Sequence, residues 1–391
     1  MSKLLTEAKW DAVKSKLLEG LSGNRRVVMN AVLNNHRNNM LRESATLGAT
    51  TGGNIASLNK VILPILRRVM PTIIANELIG VQPMSGPIGQ INTMRVRYAN
   101  DAPGVFAGQE AMSPYMLAKS YSGATASDNN APRPGATAEL EGTMGRTMNI
   151  QMVRETVEAQ TRRLGARWTM EAAQDAQSQW GVDIESEVMA SVAQHITVEI
   201  DQEILFNLRK LAGTAAVTYD QSQVTGVATF VGDEHAALAI LINRQANLIA
   251  QRTRLGAANW AVVSPTALTI LQSATTSAFA RTTEGVFEAP TNVKFAGTLN
   301  NSMKIYVDTY ATDATDVMVG YKGANETEAA AFYCPYIPLT STGVQMDPNT
   351  GEFVTSFLTR YGYIELKDSA TSLGNAGDYL SRIALKNVSF C

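Results

Sequence analysis

An α+β fold is what this sequence predicts, and three observations carry it. The stretch 183–210 (DIESEVMASVAQHITVEIDQEILFNLRK) holds a long uninterrupted helical signal. A period-two stretch at 90–98 runs into about fifty residues of loop-like composition and returns through a second alternating stretch. Beyond Gly213, helical and strand patterns follow one another without a strict βαβ rhythm, which points to α+β rather than a doubly wound sheet.

The long helix has the clearest grammar. Asp183 is a good N-cap and Gly181 a backbone break before it, while Gly213 is the stop. Apolar residues fall at Ile184, Val188, Val192, Ile196, Ile200, Ile204 and Leu208, with Glu185, Glu187, Glu199, Asp201 and Glu203 between them. At 1.5 Å per residue such a helix is about 40 Å long. A spacing of four overshoots the helical turn by about 40° per step, so the stripe winds and is expected to serve one neighbourhood in its first half and another in its second.

In chain order, residues 1–43 are helical and amphipathic, with Trp10, Val13, Leu17 and Leu21 near one face and Val28, Val32 and Met40 in a second segment. Residues 1–60 hold nine basic and four acidic side chains, a local net charge of +5 that suits either an anionic partner or a solvated helical face. Residues 44–59 are small, polar and uncharged, the composition of an extended linker. Ile65, Val69, Ile73 and Leu78 mark a further helical face around Pro64 and Pro71. Met94, Val96 and Tyr98 then alternate with Thr93, Arg95 and Arg97 as in a strand.

Residues 99–148 contain Pro103, Pro114, Pro132 and Pro134 among many glycines, and have little to bury. Long loops inside compact domains are uncommon unless they bind or reach something, so a protruding hairpin is expected, with 153–167 as its return strand. A short helix over 170–180 leads into the long one. Helices at 234–251 and after the Ser264–Pro265 start, and strands at 260–263, 303–308, 316–321, 329–338 and 353–363, complete the pattern.

The totals exclude several classes. With 391 residues, 45% of them hydrophobic, the chain can bury a large core in two or more parts. A formal net charge of -2 argues against a nucleic-acid-binding domain. Two cysteines, Cys334 and Cys391, cannot make a disulfide framework and suit synthesis in a reducing cytoplasm. No signal peptide and no membrane-length apolar run is present, so no membrane partner is expected.

Chemistry is mostly missing. His36, His195 and His235 lack metal-ligand or triad spacing and read as surface or interface residues. Asp308, Asp313 and Asp316 lack the pattern of a calcium loop, and solvent is their expected partner. Phosphate-loop, dinucleotide, GxSxG and HExxH signatures are absent, and the sequons at Asn325 and Asn387 carry no meaning without secretion. No catalytic residue, metal site or cofactor is expected, and the chain is read as a non-enzyme that contacts copies of itself.

Several short stretches in fixed order then carry a likeness. Arg67-Arg68-Val-Met-Pro71, Gly80-Val-Gln-Pro-Met84, Gly86-Pro-Ile-Gly-Gln90, the passage from Thr161 to Asp175, Val319-Gly-Tyr-Lys-Gly-Ala-Asn-Glu326 and Tyr333-Cys-Pro-Tyr336 resemble the major capsid proteins of T-even-type tailed phages. The resemblance implies the Hong Kong 97 capsid fold. It would make 1–60 an N-terminal arm, 61–89 the first part of a peripheral domain, 90–150 an extended loop and 151–214 the rest of that domain with its spine helix. An axial domain would occupy 215–345, and 346–391 would supply closing strands and the C-terminus. Homo-hexamers and homo-pentamers forming a virion capsid around double-stranded DNA, assembled in a bacterial cytoplasm with portal and scaffold proteins, are implied in the same way. A vertex pentamer protein or an encapsulin-like compartment shell is the alternative of the same fold.

Two departures stand out. T-even capsid proteins carry a folded insertion in the loop, and 99–148 is too short and too poor in apolar residues for one, which implies another clamp, either a separate cementing protein or stronger loop contacts. The family's front segment is commonly cut after a glutamate; Leu41-Arg-Glu43 makes Glu43 the candidate maturation cleavage site, with Glu19 a weaker match. Lys119, the only lysine between Gly80 and Gly145, is taken as a solvated loop residue rather than an isopeptide donor.

Overall fold

The computed structural model describes residues 10, 14–15, 17–19, 21, 23–46, 74–109, 111, 121–123, 134–142, 144–181, 183–223, 231–253, 255–274, 279–281, 293–300, 302–311, 316–323, 328–341, 343–365 and 376–388. Helix α1 (Gly23–Thr46) is followed by the short α2 (Ala75–Leu78), β1 (Gly80–Val81), β2 (Ile88–Tyr98), the short α3 (Thr137–Leu140), β3 (Met148–Glu158) and β4 (Gln160–Trp168). Next come α4 (Met170–Trp180), α5 (Ile184–Ala212), β5 (Val217–Asp220), α6 (Val231–Thr253), β6 (Trp260–Val263) and α7 (Pro265–Ser273). The remainder is strand: β7 (Phe279–Arg281), β8 (Val293–Leu299), β9 (Met303–Asp308), β10 (Asp316–Gly320), β11 (Ala331–Ser341), β12 (Gln345–Met346), β13 (Phe353–Glu365) and β14 (Leu380–Lys386).

Helix boundaries follow the local chemistry. Asp183 caps α5 by accepting from the Glu185 amide at 3.2 Å, and Gly213 ends it at φ 66°. Thr169 Oγ1 caps α4 on the Ala172 amide, and Ser264 Oγ caps α7 on the Ala267 amide with Pro265 in the first turn. Glu185 and Glu187 open α5, and Arg209 and Lys210 close it, so both ends complement the helix dipole.

Three sheets form, of which two carry the body. In the five-stranded sheet β13 is central, with β4 along one side and β11 then β12 along the other, and β1 joins β11 in parallel. The seven-stranded mixed sheet runs β5-β14-β10-β6-β9-β8-β7. Its central strands alternate between two cores: Trp260, Val262, Tyr306 and Met318 point to one side, and Ala261, Val263, Ile305, Val317 and Val319 to the other. Helices α6 and α7 cover the second side through Leu238, Ile242, Ile249 and Ile270. Strands buried on both faces read as continuous apolar runs, as at 260–263 and 316–320.

Helix α5 lies in the core shared by both sheets. Met189, Val192, Ala193, Ile196, Ile200, Ile204, Leu205 and Leu208 join Tyr333, Phe357 and Tyr361 of one sheet and Trp260 and Met318 of the other. The expected division into two separately buried halves is therefore replaced by one continuous core. From Val188 to Ile204 each stripe position is supplemented by its buried successor, which widens the contact enough to absorb the drift, and only Ile184 and Val188 at the start remain half-buried.

Other expectations need correction. The return strand begins at Met148, not 153, and breaks at Ala159: β3 pairs with β2, whereas β4 pairs with β13. The boundary at 345 does not divide the sheets, because β11 already belongs to the five-stranded sheet and β14 returns to the seven-stranded one. Asp308 and Asp316 are buried rather than solvated. Asp308 accepts from Arg209 Nη2 and Gln202 Nε2, both at 3.0 Å, and Asp316 accepts from Arg382 Nε, so the two carboxylates tie α5 and β14 to the sheet between them. His36 and His235 are also buried; His235 Nδ1 shares a 2.6 Å hydrogen bond with Ser273 Oγ. His195 is exposed, 3.1 Å from Glu199. Asp313, Lys119 and Cys391 lie outside the described residues, as does the helical face expected over 61–73.

Candidate assembly surfaces

The third sheet is a two-stranded ribbon. β2 and β3 pair antiparallel over eleven positions, from Ile88 opposite Glu158 to Tyr98 opposite Met148, a length of about 35 Å. Its base is fixed: Val157 packs with Met84, Phe332, Cys334 and Ile364 of the body, and a Cβ on Gly362 would come within 2.5 Å of Val157. Its far end closes on a small knob of Tyr98, Val105, Ala111 and Tyr121. The Tyr98 and Tyr121 rings lie 4.5 Å apart, the Tyr121 hydroxyl donates to the Thr147 carbonyl at 2.6 Å, and Asn100 Oδ1 accepts from the Thr147 amide. The loop is thus less empty than its composition suggests.

Between base and knob the described residues leave the ribbon exposed. Opposed residues of an antiparallel pair share a face, so Met148, Ile150 and Met152 line one side together with Val96, which packs against the knob. Ile150 is 68% exposed and Met152 69%. Residues of this size each gain about 1.5–3 kcal/mol on full burial, so the side is an uncovered apolar stripe awaiting a partner.

The outer face of α5 is the second surface. Glu185, Glu187, Gln194 and His195 are exposed along it, as is Phe206 at 67%. Glu199 and Glu203 hold Arg162 of β4, and the Tyr361 hydroxyl also reaches Glu203. The face is acidic, whereas the ribbon carries Arg95, Arg97 and Arg154 against Glu155 and Glu158, a small basic excess.

The N-terminal helix occupies a third place. Helix α1 lies on its own body against β11, just past the stretch where β1 and the backbone of residues 82–84 pair with that strand. Asn35 Nδ2 donates to the Met84 carbonyl at 2.7 Å and the Tyr336 carbonyl at 3.1 Å, and Val28 and Val32 enter the main core. Arg25 pairs with Glu77, which Lys304 Nζ meets at 3.1 Å and the Tyr306 hydroxyl at 3.2 Å. His36 is buried within α1 with neither ring nitrogen bonded, and burial lowers its pKa to about 4. Glu43 falls in the last turn of this helix. Sequence periodicity marked Val28 and Val32 as apolar positions but not where they dock, because the partners of Asn35 are carbonyls far along the chain.

Among the described residues no cluster of metal-ligating side chains forms, and no helix is long and apolar enough to cross a membrane. Cys334 is buried, its thiol pushed up to about 12 by desolvation.

A fold that leaves an apolar ribbon and an acidic helix face uncovered defines a subunit, a chain made to be completed by other chains. Its sequence says which kind. A family profile described as major capsid protein Gp23 matches residues 55–385, and the chain belongs to that family, the major capsid proteins of tailed phages. The major capsid protein of Vibrio phage KVP40 is 28% identical over 418 residues, covering 84% of this chain and 80% of its own. That of Enterobacteria phage T4 is 26% identical, covering 80% and 76%. A solved chain from Mycobacterium phage Bobi overlaps 80% of this chain and 90% of its own with TM-score 0.49 and 12% identity.

Proposed function

We propose that this capsid protein closes an icosahedral head as hexamers and pentamers, using the Hong Kong 97 arrangement, with the ribbon of each copy laid across α5 of its neighbour. The observation that carries this is the exposure of Ile150 and Met152 on a ribbon anchored at its base. Basic residues of the ribbon oppose the acidic face of α5, which favours register between copies and speeds their encounter. Many weak contacts repeated around a closed shell give stability that no single contact supplies.

In this reading 90–150 is the extended loop, the five-stranded sheet with α5 is the peripheral domain, and the seven-stranded sheet with α6 and α7 is the axial domain at the capsomer centre. Double-stranded DNA is held by confinement, with portal and scaffold proteins directing assembly in the bacterial cytoplasm and a cementing protein clamping the outside. Maturation cleavage after Glu43 requires the last turn of α1 to unwind, since a protease binds an extended substrate. Deletion of 105–145 tests the reading: electron micrographs should show unassembled capsomers, and normal closed shells would refute it. Mass spectrometry of mature particles tests the cleavage; an intact residue 1–46 peptide would count against it.

A further inference from the structure

The buried carboxylates Asp308 and Asp316 are matched by arginines; Asp201 is not. It stands on α5 with no exposed surface, and one oxygen accepts from the Ile74 amide at 3.0 Å. The other oxygen is buried without a hydrogen-bond partner. A half-satisfied buried carboxyl is costly when ionised, because its charge has lost water and gained a single donor.

The groups around it do not relieve that cost. Asp308 of β9 acts on it with like charge, and Tyr333 of β11 is its other titratable neighbour. Arg209, on the same helix, is turned to Asp308. Glu203, also on α5, and Tyr361 of β13 are engaged with Arg162. Glu77 of α2 faces Arg25, Lys304 and Tyr306. Burial therefore pushes the carboxyl up to about 7, with Asp308 adding to the shift and the Ile74 amide opposing it.

The position gives this group a task. Ile74 directly precedes α2 and packs in the same core as Val28 and Val32 of α1. We propose that Asp201 is a proton-gated joint: with its carboxyl protonated the core around Ile74 stays closed, whereas ionisation strands the second oxygen without water or a donor, a cost that the stronger Ile74 hydrogen bond only partly offsets, so loss of the proton favours opening. The joint at Ile74 is then closed most firmly in mild acid and opens most easily at neutral pH and above. This does not depend on how copies pack in a shell.

The sign follows from linkage. Between the ordinary aspartate range near 4 and the raised value near 7, the closed joint keeps its proton while an opened one loses it. Opening therefore becomes about tenfold easier per pH unit across that window and levels off above it.

Hydrogen exchange of the full-length chain, read by mass spectrometry on a peptide covering 74–79 and corrected for intrinsic rates, tests this. Protection should fall about a hundredfold from pH 5 to pH 7 and then stay level to pH 8.5, and Asp201→Asn should be flat throughout. Constant wild-type protection from pH 5 to 7, or an unchanged slope in the variant, overturns the proposal. Should Asp201→Asn not fold, the wild-type profile alone decides it.

Discussion

Arg209 offers the sharpest test of how the body is held together. Its guanidinium, with 19% of the side chain exposed, is 3.0 Å from Asp308 and 3.9 Å from Asp316, both carboxylates being buried. Arg209→Met keeps most of the aliphatic stem and leaves the buried Asp308 carboxylate with Gln202 and the Tyr310 amide as its donors among the described residues. Stripping one partner from a buried ion pair costs about 3–5 kcal/mol; the two surviving donors and the Arg382 contact at Asp316 place the loss near 3 kcal/mol. For a cooperative unit of 391 residues, whose unfolding entropy is about 2.1 cal/mol/K per residue, that lowers Tm by about 4 °C in calorimetry at pH 7. Because the stranded charge is the source of the cost, Asp308→Asn added to Arg209→Met should recover much of the loss. A single-variant loss below about 1 kcal/mol, or a double variant no more stable than the single, would refute the reasoning.

His36 gives a pH dependence of opposite sign to Asp201: neutral in the docked helix, it takes a proton when released, so stability present above about 6.5 is lost toward 4, in all about 3 kcal/mol. Limited proteolysis of α1 should accelerate in that window, and His36→Leu should abolish the acceleration. Gly320 stands opposite Trp260, and a Cβ there would lie 2.1 Å from the indole, so Gly320→Ala should cost about 1–3 kcal/mol in denaturant unfolding. The Cys334 thiol should resist iodoacetamide at pH 8 in the native chain and react fully in guanidinium, as followed by peptide mapping.

What the sequence disclosed was what is local. Asp183 and Gly213 bracket the long helix because caps act within a turn, and Ser264–Pro265 marks α7 for the same reason. The ribbon was visible in its alternation, although the break at Ala159 was not, since only the separate partners of β3 and β4 define it. Asp308 and Asp316 looked like solvated turn residues because Arg209 and Arg382 lie far away in sequence. Asp201 looked like one more polar residue between apolar ones, because the amide it meets belongs to Ile74. The uncovered side of the ribbon was concealed differently: alternation predicts a buried face, and whether the same chain or another buries it is not a property of period.

The most direct measurement sets intact chain beside an Ile150→Asp, Met152→Asp variant, each purified and observed by sedimentation velocity and electron microscopy. The intact chain should sediment as closed shells, and the variant, with unchanged circular dichroism, as small unassembled species. Shells of normal size and yield from the variant would contradict the claim that this ribbon finds its cover on a sister copy.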